Sequence, residues 1–443
     1  MPKHPICAPI SGSGAAAIAI IRCSGEGVIP LVARHFRPAK RLLNSPSHSI
    51  VFGTFFNAQA QPLDEVLVSV FRAPNSYTGE DVLELSCHGN PDIVDKILST
   101  LLEDMSLAQP GEFTLRAYLN SKLDLAQAEA VNDLITSASS KAETAALMQL
   151  KGYLSRHLEE LLKRISNARL RCELAIDFAD QDLPNIDEAA LLQDLQSLLR
   201  DARALYTEGQ YSRKIREGIR ICLVGAPNAG KSSLFNAFLL QNRAIVSPTP
   251  GTTRDYLEES LSLKGYTVVL YDTAGLRESH EAIEKEGISR TRELMQSADY
   301  ILYLYEASAE QIEALSPDLA AKCIYVASKS DLRSGENLPA GHIPLSVKSP
   351  NGLNALTNAI LERLKLPSDI LYRPLVTNAR HLAALKRAIT ALETALAAIK
   401  NGSGWEYIAF DLSEASRALE DILGVLSSDE LLNQIFSNFC IGK

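Results

Sequence analysis

The sequence predicts a multidomain α+β chain in which an N-terminal α+β domain precedes an all-α helical domain interrupted by an inserted α/β domain. Length is the first reason, because 443 residues accommodate about three domains at roughly 150 residues each. The second is texture: the apolar pattern is mixed to about residue 102, helical after Pro110, strand-and-helix after Ile219, and helical again after Pro374. The third is that both helical stretches share one period, so a single helical domain carries the α/β segment as an insert. Such inserts are tolerated because domain termini often lie close together. The boundaries drawn from these shifts are 1–120, 121–215, 216–371 and 372–443.

In the first segment, Ala16 to Ile21 and Val66 to Phe71 are β-branched runs, and Ala73 to Gly79 supplies Pro/Asn/Gly punctuation. The helical pattern starts after Pro110-Gly111-Glu112. Leu158, Leu161, Ile165, Ala168, Cys172 and Ala175 step by 3 and 4, as do Leu191, Leu195, Leu198, Ala202 and Leu205, which marks buried stripes of antiparallel helices. Ile219 to Val224, Thr267 to Tyr271, Tyr300 to Tyr305 and Cys323 to Ala327 are near-continuous apolar runs, as expected of strands covered on both faces of a parallel sheet. Leu382, Leu385, Ile389, Leu392, Leu396 and Ile399 restore the helical step, and Asn401-Gly402 supplies a stop.

Composition excludes several classes. Apolar residues make up 46% and charged residues 22%, too apolar a balance for disorder. Against 53 Asp and Glu stand 44 Lys and Arg, for a net charge of -9, so no general basic field exists to hold nucleic acid. Any such contact is local or shared with a partner. Seven cysteines without a CxxC pair exclude a zinc finger, a redox motif and a disulfide scaffold, and fit a reducing compartment. The uncharged stretch Pro5 to Ile21 is broken by Pro9, Gly12 and Gly14, and Arg22 beside Cys23 does not suit a lipoprotein signal. No window reaches the roughly 18 to 20 apolar residues of a membrane span. The tail Cys440-Ile441-Gly442-Lys443 has the length of a prenylation box but ends in lysine. A cytoplasmic protein with no membrane contact is the expectation.

The chemistry concentrates after the strand Ile219 to Val224. Gly225-Ala226-Pro227-Asn228-Ala229-Gly230-Lys231-Ser232 fits G-x-x-x-x-G-K-[ST] and opens the helical run Ser233 to Leu240. In that pattern backbone amides close around a phosphate at a helix N-terminus, Lys231 neutralises the β/γ oxygens and Ser232 ligates Mg²⁺. Asp272-Thr273-Ala274-Gly275 ends the next strand, where an acid reaches the metal through water and a glycine amide senses the γ-phosphate. Gly251-Thr252-Thr253-Arg254-Asp255 lies between, with its second threonine placed to complete the Mg²⁺ shell. Ser328-Lys329-Ser330-Asp331 resembles the base-reading N-K-x-D element, and Asp331 accepts from guanine N1-H and N2-H, a pair adenine lacks. Ser346-Val347-Lys348 is the last base-side loop.

These elements in this order resemble a GTPase of the translation-factor-like class. Leu276 stands where Ras-type enzymes carry a water-orienting Gln, so hydrolysis must draw on another polar group and another positive charge. Ala16 to Gly25 (AAIAIIRCSG), Tyr77 to Gly89 (YTGEDVLELSCHG), Pro110 to Ile135 and the tail Phe439 to Lys443 (FCIGK) resemble the MnmE (TrmE) tRNA modification GTPases over essentially the whole chain. That resemblance implies a homodimer with an N-terminal tetrahydrofolate-binding and dimerisation domain, a helical domain and an inserted P-loop GTPase domain. It also implies the FAD-dependent partner MnmG, together with which, in a heterotetramer, the protein installs a carboxymethylaminomethyl or aminomethyl group at C5 of the tRNA wobble uridine. The one-carbon unit comes from a folate, as 5-formyl- or 5,10-methylene-tetrahydrofolate.

Carried over residue by residue, Arg22, Glu84, Lys122 and Lys443 would contact the folate. Asn228, Ser247, Thr249 and Thr252 would bind K⁺, and Ser232 and Thr253 would bind Mg²⁺. Glu284 falls at the family's catalytic glutamate. The GTP contacts would come from Asn228, Ala229, Gly230, Lys231, Ser232 and Ser233, from Ser247, Pro248, Thr249, Pro250, Gly251, Thr252 and Thr253, from Asp272, Thr273, Ala274 and Gly275, and from Lys329, Asp331 and Ser346. Ser328 for Asn, Ser247-Pro248 for Thr-Asp and Asn90 after His88-Gly89 depart from the family pattern. Cys440 between Phe439 and Ile441 reads as a packed or spare thiol. A GTP-dependent ribosome-assembly or RNA-binding factor with no modification chemistry would share the P-loop domain, but not the N-terminal motifs or the tail.

Overall fold

A computed structural model of the chain describes residues 4–12, 14–177, 187–242, 257–272, 291–309, 312, 315–332, 338–349, 351–364, 376–425 and 427–443. The chain divides into two compact units, Met1–Asn132 with Glu420–Lys443, and Asp133–Leu419.

The first unit is built on a seven-stranded sheet. Its strands are β1 (Ile6–Pro9), β2 (Ile18–Ser24), β3 (Phe36–Arg37), β4 (Ser49–Phe56), β5 (Pro62–Phe71), β6 (Val82–His88) and β7 (Ser106–Leu107), ordered β3-β4-β5-β6-β2-β1-β7. Alternation along the strands decides which face is buried. Ile21, Cys23, Val66, Val68, Leu83 and Leu85 point to one face and form its core with Val28, Ile29 and Val32 of helix α1 (Val28–Arg34) and Ile97 and Leu101 of helix α3 (Pro91–Leu101). The short helix α2 (Ala39–Leu43) adds Leu42. The other face carries the opposite parity, with Ile18, Ile50, Phe52 and Leu67 exposed.

Helix α4 (Glu112–Leu119) begins where Gly111 takes the left-handed φ of 69°, at the position the sequence marks as the helical onset. Its neighbour α5 (Leu125–Thr136) contributes Leu125 and Ala128 to a satellite core with Leu432, Phe436 and Phe439 of the C-terminal segment. Burying side chains of this size contributes about 1.5–3 kcal/mol each. The amide of Phe113 donates to the Lys443 carbonyl oxygen at 3.1 Å, so the chain end is tied to α4.

The second unit begins with three helices, α6 (Ser140–Leu150), α7 (Tyr153–Asp177) and α8 (Glu188–Glu217). The predicted stripe on α7 is buried from Leu158 to Cys172, with Ala175 half-exposed, and the stripe on α8 is buried throughout. A six-stranded sheet follows, made of β8 (Ile219–Gly225), β9 (Leu257–Leu263), β10 (Tyr266–Asp272), β11 (Tyr300–Glu306), β12 (Cys323–Ser328) and β13 (Ile343–Leu345) in the order β13-β12-β11-β8-β10-β9. The four expected strands are present and mutually parallel. The sheet is nevertheless mixed, because β9 pairs antiparallel with β10 at the edge.

Helices α9 (Lys231–Asn242), α10 (Pro317–Ala321) and α11 (Gly352–Leu364) accompany that sheet. The long helix α12 (Ala379–Lys400), capped by the Asn378 side chain on the Arg380 amide, returns along α8. It ends at Asn401-Gly402, as the sequence indicates. Residues Trp405–Leu423 form α13, and Asp429–Phe436 form α14 in the first unit. Ala145 of α6 and Ile215 of α8 belong to the same core as Ile219, Ile221 and Leu223 of β8, so the helices and the sheet of this unit share apolar contacts.

Candidate functional sites

The nucleotide motif occupies the expected strand–loop–helix junction. Gly225 ends β8 at φ +147° and Gly230 lies at +90°, immediately before α9. A Cβ at Gly225 would stand 2.0 Å from the Leu304 carbonyl oxygen, so β8 and β11 approach too closely there for any side chain. Asn228, at φ +63°, completes the turn. The ammonium of Lys231 is buried and donates to the carbonyl oxygens of Gly225 and Ala226 at 2.8 Å each, which holds it over the loop at the helix N-terminus. Positive backbone dipole and lysine converge at this point, the combination that binds phosphate. Ser232 and Ser233 are exposed in the first turn of α9, and Ala229 is buried beneath the loop.

Asp272 closes β10, buried and level with Leu223 of β8. Its carboxylate and the Ser232 hydroxyl are hard oxygen donors of the kind Mg²⁺ takes alongside substrate phosphates. The described residues therefore fit a Mg²⁺ site. No group of three His, Cys, Asp or Glu suited to a metal occurs among the described residues. Ser247, Pro248, Thr249, Pro250, Gly251, Thr252, Thr253, Thr273, Ala274, Gly275 and Glu284 lie outside the described residues.

The residues expected from the sequence to read the base sit at the C-terminal ends of β12 and β13, on the same edge as the phosphate loop. Ser328 is buried, and its hydroxyl donates to the Tyr305 carbonyl oxygen at 3.0 Å. Serine thus braces this loop against β11. Lys329 adopts φ +55° and forms an ion pair with Glu306. The neighbouring Ser346 hydroxyl, which makes no hydrogen bond of ordinary geometry, is the main influence holding the Asp331 carboxyl below its ordinary value, so it is set as a carboxylate.

A second constellation lies in the first unit. Arg22 of β2 and Glu84 of β6 are direct cross-strand partners, and Glu84 Oε1 accepts from Arg22 Nε and Nη2 at 2.9 Å each. Their side chains keep 14% and 25% exposure, enough for a ligand to reach them. The guanidinium carbon lies 5.2 Å from the Tyr77 ring centroid and 5.5 Å from that of Phe113, within cation–π range. Burial pushes the Tyr77 phenol up, opposed by its hydrogen bond with Thr114 and by the Arg22 charge.

Lys122 Nζ donates to the Pro74 carbonyl oxygen at 3.0 Å, and Lys443 is half-buried at the chain end. The structure thus joins Arg22 to Glu84 directly and ties Lys443 to Phe113, whose ring Arg22 covers. Sequence reading missed Tyr77 and Phe113 as its walls. It also missed the adjoining network in which Glu80 Oε2 accepts from Ser24 Oγ and Arg116 Nη1 at 2.8 and 3.1 Å. Arg116 lies inside the quoted Pro110 to Ile135 signature, which was the available signal. Of the two readings of Cys440, a packed or a spare thiol, its exposure excludes the packed one: it is the exposed one of the seven free cysteines.

Comparison with known proteins connects the two sites. The profile described as GTP-binding protein TrmE N-terminus matches residues 5–122, and that described as MnmE helical domain matches residues 125–440. The tRNA modification GTPase MnmE of Aquifex aeolicus (strain VF5) is 38% identical over 453 residues, covering 100% of both chains. The protein of the same name from Moorella thermoacetica is 39% identical over 462 residues, covering 99% of each. The chain belongs to the MnmE family. Among solved structures, the G domain of the T. maritima FeoB iron transporter matches 32% of this chain and 97% of its own length, at 24% identity and a TM-score of 0.23. As an MnmE family member the chain is a GTP hydrolase, assembled from an N-terminal TrmE domain, an MnmE helical domain and a P-loop G domain. No helix among the described residues is long and apolar enough to cross a membrane.

Proposed function

We propose that this GTPase works with an FAD-dependent MnmG partner, in a heterotetramer, to install the carboxymethylaminomethyl or aminomethyl group at C5 of the tRNA wobble uridine from a folate one-carbon unit. The observation that carries this is the Arg22–Glu84 pair, walled by Tyr77 and Phe113, in the same chain as a phosphate loop. A carboxylate and a guanidinium beside aromatic rings suit a pterin with an acidic tail: Glu84 accepts from pterin N-H groups, while Arg22 and Lys122 face anionic or carbonyl oxygens and Lys443 closes the site. GTP turnover in the cytoplasm is then coupled to that chemistry within four parts, 1–120, 121–215, 216–371 and 372–443.

Homodimerisation is part of the proposal and is supported by the first unit's sheet. Phe52 and Leu67 are register partners, and with Ile50 and Ile18 they leave large apolar side chains exposed on one face, which marks an interaction surface. That face also bears Arg22 and Glu84, since residues 18, 20, 22, 84 and 86 share its parity.

For hydrolysis, Ser232 and Thr253 would hold Mg²⁺, and Asn228 with Ser247, Thr249 and Thr252 would hold K⁺, supplying positive charge where no arginine finger is identified. Glu284 would orient water in place of the side chain that Leu276 lacks. The test is turnover in KCl and NaCl at matched ionic strength, with Glu284→Ala alongside. K⁺ should be required, and Glu284→Ala should bind GTP yet lose about 10²- to 10⁴-fold in rate. Equal rates in both salts and a fully active variant would refute the ion and the catalytic assignments. Calorimetry with 5-formyltetrahydrofolate and nucleoside analysis of tRNA from a deletion strain test the modification arm.

A further inference from the structure

The net charge of -9 repels polyanions, yet one groove in the second unit does the opposite. Helices α8 and α12 run antiparallel, so Leu199 lies with Leu396 at one end of their seam and Tyr206 with Leu382 at the other. Beside the seam on α8, Arg200, Arg203, Gln210 and Lys214 fall on one helical row, at steps of three, seven and four. On α12, Lys386, Glu393 and Lys400 repeat every seven residues, which is two turns.

Two open cavities follow the seam. The one nearer β8, of about 440 Å³, is bordered by Arg213, Lys214, Arg220 and Lys386, and the other by Arg200, Arg203 and Lys400. Together seven cations face three carboxylates, Glu217, Asp299 and Glu393. Each carboxylate is taken: Arg213–Glu217 at 2.8 Å, Lys214–Asp299 at 3.0 Å and Arg203–Glu393 at 2.7 Å. Among the described residues, Arg200, Arg220, Lys386 and Lys400 are exposed and carry no ion pair.

We infer that this groove binds the phosphate backbone of RNA. From Arg200 to Lys214 the row extends about 21 Å at the rise of an α-helix, longer than a single small anion and suited to successive phosphates. The apolar floor, with half-buried Tyr206, accepts sugar and base surface, and base–aromatic contact of this kind is tolerant of sequence. The groove is also continuous in chain with the nucleotide site, because α8 passes through Gly218 into β8 and the phosphate loop. The inference rests on the reading of tRNA as the substrate and names the surface that would hold it.

The test is binding of an unmodified tRNA transcript to the full-length chain by fluorescence anisotropy, as a function of KCl between about 50 and 200 mM. The variant is Arg200→Gln/Lys386→Gln/Lys400→Gln, with its melting temperature measured in parallel. Losing three phosphate contacts at about 0.7 per contact should reduce the slope of log K against log salt by about 2, and affinity at the lowest salt should fall more than tenfold. If the triple variant does not fold, Lys386→Gln alone should reduce the slope by about 0.7. A folded variant with wild-type slope and affinity overturns the groove while leaving tRNA recognition standing. Retained tRNA binding with lost binding to poly-glutamate overturns it in favour of an acidic protein surface. A wild-type chain that does not bind the transcript overturns both the groove and the reading beneath it.

Discussion

Replacing Gly225 by alanine would put a Cβ 2.0 Å from the Leu304 carbonyl oxygen, at a φ of +147°. The obstacle is backbone in the neighbouring strand, which cannot rotate aside as a side chain can. Holding a residue with a Cβ in such a sparsely populated conformation costs about 1–3 kcal/mol, and forcing a carbon into packed structure adds about 1–3 kcal/mol. Gly225→Ala should therefore destabilise this part of the sheet by about 2–6 kcal/mol. Gly230→Ala is the control. Its φ is +90° but its Cβ would meet nothing nearer than the Ser328 Cβ at 3.9 Å, so only the conformational cost of about 1–3 kcal/mol applies. Hydrogen exchange of the β8 and β11 amides, without nucleotide, measures local opening and does not require the multidomain chain to unfold in one step. Equal losses in the two variants, or a larger loss for Gly230→Ala, would refute the conclusion that Leu304 sets the position of the loop.

Four further outcomes are expected. In a double-mutant cycle of Arg22→Met and Glu84→Gln, the coupling should be about 1–3 kcal/mol, because a largely buried guanidinium loses its charged acceptor; thermal melts giving additive effects would contradict this. The Asp331 carboxyl, lowered by Ser346, carries its contribution above the ordinary aspartate value of about 3.9 and loses it only as pH falls through its lowered folded value. Guanine affinity should thus persist into mild acid, Ser346→Ala should move the acid limb upward, and Asp331→Asn should favour xanthine, as nucleotide competition at several pH values would reveal. Ser328→Ala should cost about 1–3 kcal/mol, since it removes a buried donor from the Tyr305 carbonyl, and unchanged GTP-free stability would count against that bond. Phe52→Asp should shift the chain toward monomer in sedimentation velocity, and an unaltered mass distribution would eliminate that sheet face as the dimer surface.

Most of the α/β core was legible in the sequence because β8, β10, β11 and β12 are covered on both faces and therefore appear as continuous apolar runs. The edge strand β9 was not. Its residues Leu257 to Leu263 alternate with Glu and Ser, and an edge strand has one neighbour to satisfy. A signal was present in the turn Lys264-Gly265, where both residues take positive φ, of 47° and 83°, as a two-residue hairpin requires. The phosphate loop was legible as a local motif, whereas the role of Ser328 was not. As a substitution in N-K-x-D it reads as the loss of an amide, and only the hydrogen bond from its hydroxyl to the Tyr305 carbonyl of the neighbouring strand β11 shows what the serine does. Tyr77, Phe113 and the tail reach Arg22 from segments remote in sequence, so their convergence has no local signature.

The placement of Arg22 and Glu84 follows from neighbours rather than from their own attraction. On β2, Ala19, Ile21 and Cys23 are buried in the core, and on β6 Leu83, Leu85 and Cys87 are buried with them. Since side chains alternate with period two, a slip of one residue would turn these apolar sets outward and drive the Arg22 guanidinium into the α1 and α3 layer. Burying an unpaired charge costs more than even the coupling of about 1–3 kcal/mol expected of this pair. The apolar parity therefore fixes the register, and the register delivers guanidinium and carboxylate side by side on the outer face. Removing either charge should accordingly leave the strand pairing intact, which is why the site can be dissected by substitution without losing the sheet that presents it.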